Sequence, residues 1–539
     1  MIQRLERILV IGGIGLLLAF GSVLFGASSG KQVVVQPGDD IPSLVSSNPP
    51  GTTFHFKPGL YRGVSITPKD RDVFEGEPGA ILNGSQPLKF QRRGQYWVAS
   101  GRTNPDEEAI MRQGLPVQIP GGGPQGAQGG QRQGGGGGGG RGGFGGLGRG
   151  PFGFPGGGGQ RRGQGGGGQG GAQREYRGRC QPEYPLCIFP EDVFVDDLPI
   201  VRVQHQEELG PGHWWSDSEA GEIYLADDPT GKKVELGSTR KAFSGDAQDV
   251  TIRGLIIEKY AQPAGEAAID GKNADRWVVE QNEIRWNHGV GIRAGNGWKI
   301  LNNKTHHNGD CGMGGSGRDI LVEGNEMYKN NYAGYWPGWE AGGAKFVLTE
   351  NLVVRNNFSH DNIGPGLWTD INNKNVLYEG NRTTNNTEGI FHEISFKAII
   401  RNNTIWNDGN NTYGHHDGDA GILVAESRDV EVYGNKVTNC RAGILGRQLN
   451  RNQDAQMYHM PEPYEIHNLY VHDNEITQDT GVALGILKPA PHVSNDVFTR
   501  WNNRFVNNTV KLGDPNQQAF QWNNDRYTQS QFEKMMKEN

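Results

Sequence analysis

Along the second half of this chain, apolar residues come in short runs (VVE, KIL, ILVE, LVV, VLY, AII, EVY, LYV), each closely followed by an asparagine. Aligning the runs gives a ladder of Asn282, Asn303, Asn325, Asn357, Asn381, Asn403, Asn435, Asn474 and Asn508, with steps of 21, 22, 32, 24, 22, 32, 39 and 34 residues. A second ladder lies five residues on, at Asn287, Asn308, Asn330, Asn362 and Asn386. A basal repeat of about 22 residues with inserted loops is the pattern of a coil whose turns differ only in loop length. Asparagine tolerates the left-handed backbone of a sharp bend. Identical amides at the same place in successive coils can hydrogen-bond along the stack. Helical solenoids need two amphipathic segments per repeat, and these repeats are too rich in Asn and Gly for that. The pattern predicts an all-β fold, a right-handed parallel β-helix, with the hand taken from the general rule for parallel crossovers.

The coil pattern is expected from 248 to 512, followed by a tail at 513–539. Upstream, TTFHF, YRGVSI and AILNGS read as further short strands, so 31–118 is expected to hold the first coils. Residues 175–247, with EDVFVDDLPIVRVQ and, after His213, Trp214 and Trp215, EIYLADD, read as a β-rich elaboration. Between them lies a Gly-rich insertion at 119–174. From Gly121 to Gly171 there are 31 glycines in 51 residues, a composition that cannot bury enough apolar surface to offset its chain entropy. Residues 1–30 carry Arg4 and Arg7 and then an apolar run from Ile8 to Phe25. That segment reads either as a secretory signal or as an uncleaved membrane anchor, and both place the body outside the cytoplasm.

Charge changes the picture once the insertion is set aside. The stretch from Ala109 to Arg174, which contains it, holds seven arginines and no acids, so the remainder carries −14 rather than the overall −7. An acidic body argues against a nucleic-acid partner, and leaves the membrane only the N-terminal segment. Of four cysteines, Cys180 and Cys187 enclose a short loop and are able to bridge, whereas Cys311 and Cys440 fall about five rungs apart, beyond disulfide reach.

With its VxxN ladder and the strands GLWTDI, GIFHEI and GILVAE, the chain resembles the right-handed parallel β-helix proteins of the pectate-lyase-like superfamily over about 250–512. That resemblance implies a fold and a range of activities: polysaccharide lyases, glycoside hydrolases, uronan epimerases and non-enzymatic adhesins. The sequence motifs of pectate lyases and the paired aspartates of polygalacturonases are absent, so candidate chemistry has to be read from the stack.

Aligning three coils on Gly343, Gly366 and Gly389 and alternating faces places Leu367, Thr369, Ile371, Ile390, His392 and Ile394 inward. Lys345, Trp368, Asp370, Phe391 and Glu393 then point outward on three neighbouring rungs, with Arg293 nearby. An exposed Trp368 and Phe391 beside charges would stack sugars. Asp370 and Glu393, on adjacent rungs, would either bind a hard cation such as Ca²⁺ or serve as an acid and base pair; an ordinary solvated pair is the plain alternative. Lys345 is the natural base for elimination beside a uronate, or else a partner of those carboxylates. Trp339 and Glu340 would wall the same cleft. His392 is expected inside, where a core polar role outweighs a catalytic one. His306-His307, His360-Asp361 and His415-His416-Asp417 sit near turns or loops. The expected function is a polysaccharide-cleaving or epimerising enzyme, lyase ahead of hydrolase, with a non-catalytic glycan-binding solenoid as the alternative.

Overall fold

The computed structural model describes residues 30–101, 179–271, 273–410, 418–458, 460, 462–488 and 493–538. The apolar N-terminal segment, the Gly-rich insertion and His415-His416-Asp417 lie outside them. Among the described residues no helix is long and apolar enough to cross a membrane.

Three ladders of short parallel strands make the three faces of a coil. One face runs from Gln32–Val35 through Thr251–Arg253 and Val353–Arg355 to Arg504–Val506. A second runs from Gly59–Arg62 through Glu283–Arg285 to Thr509–Leu512. The third, called here the site face, includes Ala267–Asp270, Val290–Ala294, Cys311–Arg318, Gly342–Glu350, Leu367–Asp370, Ile390–Glu393, Ile422–Ala425, Ala442–Arg447 and Val482–Leu487. Alternate residues of every strand enter one continuous core, such as Ile252, Val279, Ile300, Val322 and Val354 in a single column. Outward positions of the first face pair charges across rungs, as in Glu323 with Arg355 and Glu379 with Arg401.

Both asparagine ladders form. Each amide of the first, from Asn282 to Asn474, donates from its backbone and its Nδ2 to Oδ1 of the next, at 2.8–3.1 Å. One expectation needs correcting. The ladder asparagines do not hold the left-handed bend; the residue before each does. Gln281, Asn302, Gly324, Asn356, Gly380, Asn402, Gly434, Asp473 and Asn507 have φ between 51 and 70°. The preceding residue turns the chain, and the turn drops the next side chain into the interior, where an amide can satisfy backbone groups that the corner leaves unpaired. The second ladder ends on an acid: Asp408 Oδ1 accepts from Asn386 N and Nδ2 at 2.8 and 2.9 Å, and Thr383 donates to Oδ2 at 2.7 Å.

The segment boundaries also shift. The coil itself occupies 32–83 and resumes at Phe243–Ser244, whose partner rung is Ala267–Asp270. Between the two, Ser85–Pro87, Gln91–Arg93 and Tyr96–Ser100 join Val193–Val195, Leu198–Arg202, His213–Asp217, Glu222–Leu225 and Val234–Gly237 in one eight-stranded, mainly antiparallel sheet. Buried Lys259 ties this sheet to the coil through Glu235 and Asp197. At the other end, Phe520–Trp522 forms another rung of the site face, and Phe532 of helix Gln529–Glu538 packs on Phe505, Phe520 and Trp522, so 513–539 is a cap rather than a tail. Cys180 and Cys187 are bridged; Cys311 and Cys440 are free and buried.

Loop lengths are not evenly shared. Every corner between the first and second faces, from residue 281 onward, is two residues long. From residue 259 onward the long connections all start or end at a strand of the site face: those following 258, 328 and 406 along one edge and those following 447 and 487 along the other, and the inserted sheet enters at the first of these edges.

Asn381 is buried and donates to Val354 O and Asn403 Oδ1 while accepting from Asn357. Asn381→Leu should therefore cost about 3 kcal/mol or more, because several partners lose their hydrogen bonds at once; a urea midpoint within error of wild type would contradict the ladder's role. Burial pushes Asp408 from the ordinary 3.8 up to about 7, with Glu388 adding to it and its three donors opposing. A raised folded pKa means this site's favourable contribution is complete below about pH 4 and is lost as pH rises through about 7, at roughly 1.4 kcal/mol per unit. Asp408→Asn should flatten that part of the stability–pH curve and raise the thermal midpoint at pH 8 relative to wild type, measured by thermal denaturation across that range.

Candidate functional site

The expected register of the site face holds up to the strand ends. Lys345, Trp368, Phe391 and Leu423 form one outward column, while Phe346, Thr369, His392 and Val424 form the inward one beside it. Beyond the strands, expectation and structure part. Ile371 and Ile394 adopt φ of 62 and 36°, so they do not enter the core but pack outside it against Ala455 and Tyr464. Such a conformation is costly for β-branched residues and persists only where surrounding contacts enforce it.

Trp368 and Phe391 are not an exposed platform. They point outward yet are 2 % and 0 % exposed. They stack on one another, with centroids 5.3 Å apart and planes at 12°. Leu423 and Ala420 complete the cluster, and the cations of Lys345 and Arg447 lie 3.6 and 5.6 Å from the two ring centroids. The aromatics thus form a second, outer apolar layer under a lid of charge.

That lid holds the candidate carboxylates. Lys345 Nζ reaches Asp370 Oδ2 at 3.0 Å and donates to the carbonyl of Trp339 at 2.6 Å. Burial raises Asp370 above the usual carboxylate range, and nearby Glu393 pushes the same way against Lys345 and Arg451. Glu393 is turned to other cations: its Oε1 takes Arg447 Nη2 and Arg451 Nη1, both at 3.0 Å. Arg447 also contacts Glu426 at 3.3 Å. Calcium requires six to eight oxygens. Here both carboxylates are engaged by cations, and among the described residues no three His, Cys, Asp or Glu gather as a metal cluster. The donor set does not fit the expected calcium. His392 lies in the interior at 0 % exposure, its Nδ1 2.7 Å from Thr369 Oγ1, and burial lowers it to about 3. A neutral imidazole inside the coil is out of reach of anything bound on the outer face, which removes it from the catalytic candidates.

Open space lies next to this lid, toward the N-terminal rungs. Asp270, Arg293, Gly314 and Lys345 succeed one another in the outward column. Gly314 leaves a gap between the two cations, and a Cβ there would meet the Lys345 carbonyl at 2.3 Å. The resulting shallow pocket is lined by Gly265, Val290, Arg293, Cys311, Gly314, Glu340, Lys345 and Val347, among others. Arg293 donates to Gly265 O; Arg293 and Glu340 are half-buried. Behind the pocket is Asp310, fully buried, with both oxygens lacking a geometric hydrogen bond. Burial and the neighbouring Glu340 raise it well above the ordinary carboxylate range, against the pull of the Gly265 backbone and Lys345.

The wall carrying Glu340 is anchored from two sides. Arg179 lies over the Trp339 ring at 4.9 Å, and Cys180 bridges to Tyr335 in an antiparallel pair, so the disulfide loop backs the 329–341 segment. His288 holds that loop through Asp192 at 2.9 Å and Cys187 O at 2.7 Å, with Tyr332 donating to the same Asp192 oxygen. Trp339 is itself buried, while Trp336, three residues earlier, is 38 % exposed.

Eight of the residues singled out in the sequence, Lys345, Asp370, Glu393, Trp368, Phe391, Trp339, Glu340 and Arg293, gather around this pocket and its lid, and His392 does not. Sequence reasoning missed Arg447, although carrying the glycine alignment two rungs further, through Gly421 to Gly443, places it in the column of Asp370 and Glu393. Arg451 and Asp310 had no comparable signal, since one sits in an insertion and the other at a corner.

The model of the right-handed β-helix region matches residues 267–437. A search of curated protein sequences finds no match. Among solved structures, the chain is similar to XylC in complex with xylose, at 13 % identity and a TM-score of 0.50, covering 90 % of this chain and 83 % of that one. It is also similar to the A-module of the Azotobacter vinelandii mannuronan C-5 epimerase AlgE4, at 11 % identity and 0.40, covering 91 % and 92 %. A third is the Gp54 tailspike of Acinetobacter baumannii bacteriophage AP22 with capsular saccharide, at 10 % and 0.34, covering 90 % and 71 %. The likeness to XylC speaks to the fold, and with the strand topology and the matched region it makes this chain a right-handed parallel β-helix protein.

Proposed function

We propose that this is an exported enzyme that cleaves or epimerises a polysaccharide in the groove over the site face, with elimination beside a uronate ahead of glycoside hydrolysis. The observation that carries this reading is the pocket between Arg293 and Lys345, rimmed by Glu340, on the face bordered by the long connections that follow residue 258. Two cations held across a gap suit a sugar carboxylate. They would also offset the charge that develops when the proton next to that carboxylate is removed, which is where fixed charge contributes most to rate. Lys345 donates to two oxygens and lies over an aromatic ring, a cation's set of partners. That setting favours a charge-stabilising role for it over the base expected from sequence. Glu340 and Asp370, one at the rim and one beneath Lys345, are the carboxylates placed to move protons. XylC, of similar fold, was solved with xylose, which agrees with a sugar in such a groove.

A second reading, a glycan-binding solenoid without chemistry, has one observation behind it. Lys345, Asp370, Glu393, Arg447 and Arg451 are already joined in ion pairs, as a purely structural network would be.

The test is turnover of a panel of acidic and neutral glycans, read as ultraviolet-absorbing unsaturated products and as new reducing ends, with and without EDTA. Arg293→Met and Glu340→Gln should each lower turnover by about 100-fold or more with thermal midpoints close to wild type. Lys345→Met should abolish unsaturated products if elimination is the reaction. Binding by wild type with no product from any glycan would support the second reading instead.

A further inference from the structure

The inserted antiparallel sheet has one face that the coil does not use. Its inner side contributes Trp214, Ile223 and Leu225 to a small core with Val193, Val234 and Leu236. Strand alternation and the observed pairing put Tyr96, Trp215 and Tyr224 together on the opposite side. All three are half-buried. Trp215 and Tyr224 are cross-strand partners with ring centroids 5.0 Å apart at 54°, and Tyr96 meets Tyr224 edge-on at 6.4 Å and 81°.

The tilt matters. On the second face of the coil, His306, Tyr328 and His360 stack with planes at 15° and 1°, so each ring covers its neighbour's face. Rings in edge-on and tilted contact do not cover one another face to face, and all three here keep partial exposure. Beside them Arg93 donates to both oxygens of Glu222 at 2.8 and 2.9 Å, and the Tyr224 hydroxyl donates to the same carboxylate at 2.7 Å. The face therefore combines partly exposed aromatic surface with a fixed rim of donors and acceptors. A pyranose, apolar on its C–H face and ringed by hydroxyls, matches both. Charge decides between glycan classes: Arg93 is neutralised by Glu222, and Asp217 adds a carboxylate on the same side, which disfavours a polyanion.

We infer that the outer face of this sheet is a second glycan-binding surface, for a neutral polysaccharide chain, separate from the pocket on the coil. It does not depend on the chemistry proposed there. The sheet is tied to the coil by buried Lys259 with Glu235 and Asp197, so this surface is held at a fixed position on the molecule.

Electrophoresis of the full-length protein through gels containing xylan, β-glucan or glucomannan, with alginate as the anionic control, tests this. Wild type should be retarded by at least one neutral polymer. Trp215→Ala and Tyr224→Ala should each weaken the dissociation constant about tenfold or more, while Lys345→Met leaves retardation unchanged, which separates this surface from the pocket. Tyr96→Ala, at the edge of the ring cluster, serves if Trp215→Ala fails to fold. The inference is overturned if no neutral polymer retards wild type, if the ring variants run as wild type does, or if only alginate binds. Retardation appearing only after deletion of 121–171 would overturn it too, because the glycine-rich segment would then be the occupant.

Discussion

A coil that turns three corners every 22 or so residues must pair its backbone at each corner, and here a column of buried amides does so. Each ladder asparagine donates twice to the next rung and once to a carbonyl of the rung before. The unit is not the single side chain but the stack, since every amide is fixed by those above and below. The ladder passes unbroken across steps of 32, 34 and 39 residues. Insertions therefore leave the register intact, and the corner that holds the first ladder stays at two residues throughout. Variation is pushed to the corners that border the site face. The pocket lies on the face where those connections gather, because the amides keep the opposite corner short.

The same constraint explains how much of the molecule was legible in its sequence. A periodic asparagine marks a rung, and alternation within a rung assigns inside and outside, so the directions of Lys345, Asp370, Trp368 and His392 follow from local rules. What covers an outward residue does not. Trp368 and Phe391 are buried by Lys345, Arg447 and Ala420, and Arg447 lies more than fifty residues from Phe391. Glu393 is drawn away from Asp370 by Arg451, from an insertion without periodicity. Ile371 and Ile394 broke alternation because the strands end one residue earlier than their apolar pattern suggests. Periodicity reports the coil, and the site is made where long connections fold back onto it.

The charges on the site face divide into two sets with different physics. Around Glu393, two arginines and two glutamates balance one another in a buried network; removing one member would strand the others, and the network's net worth to stability is small. It seals the outer aromatic layer. Around the pocket the balance is looser. Arg293 and Glu340 are half-buried, and Asp310 behind them is held above the ordinary carboxylate range by burial and by Glu340. A buried carboxyl without good hydrogen bonds is costly to folding. Its cost is concentrated beside the gap that Gly314 leaves in the column.

The wall of that gap also depends on residues far from it in the chain. Glu340 sits on a loop backed by the disulfide segment, and that segment is clamped to the coil by His288, whose two ring nitrogens engage Asp192 and the Cys187 carbonyl. Asp192 in turn directly precedes Val193–Val195, a strand of the sheet bearing Trp215 and Tyr224. Pocket wall and sheet are thus two ends of one rigid attachment. An insertion made only to fill space would need no such clamp, because a loose loop at an exposed corner costs the coil little. A clamp of buried ion pairs and a histidine bridge has its physical justification when the position of what it carries, relative to the groove, has to be constant.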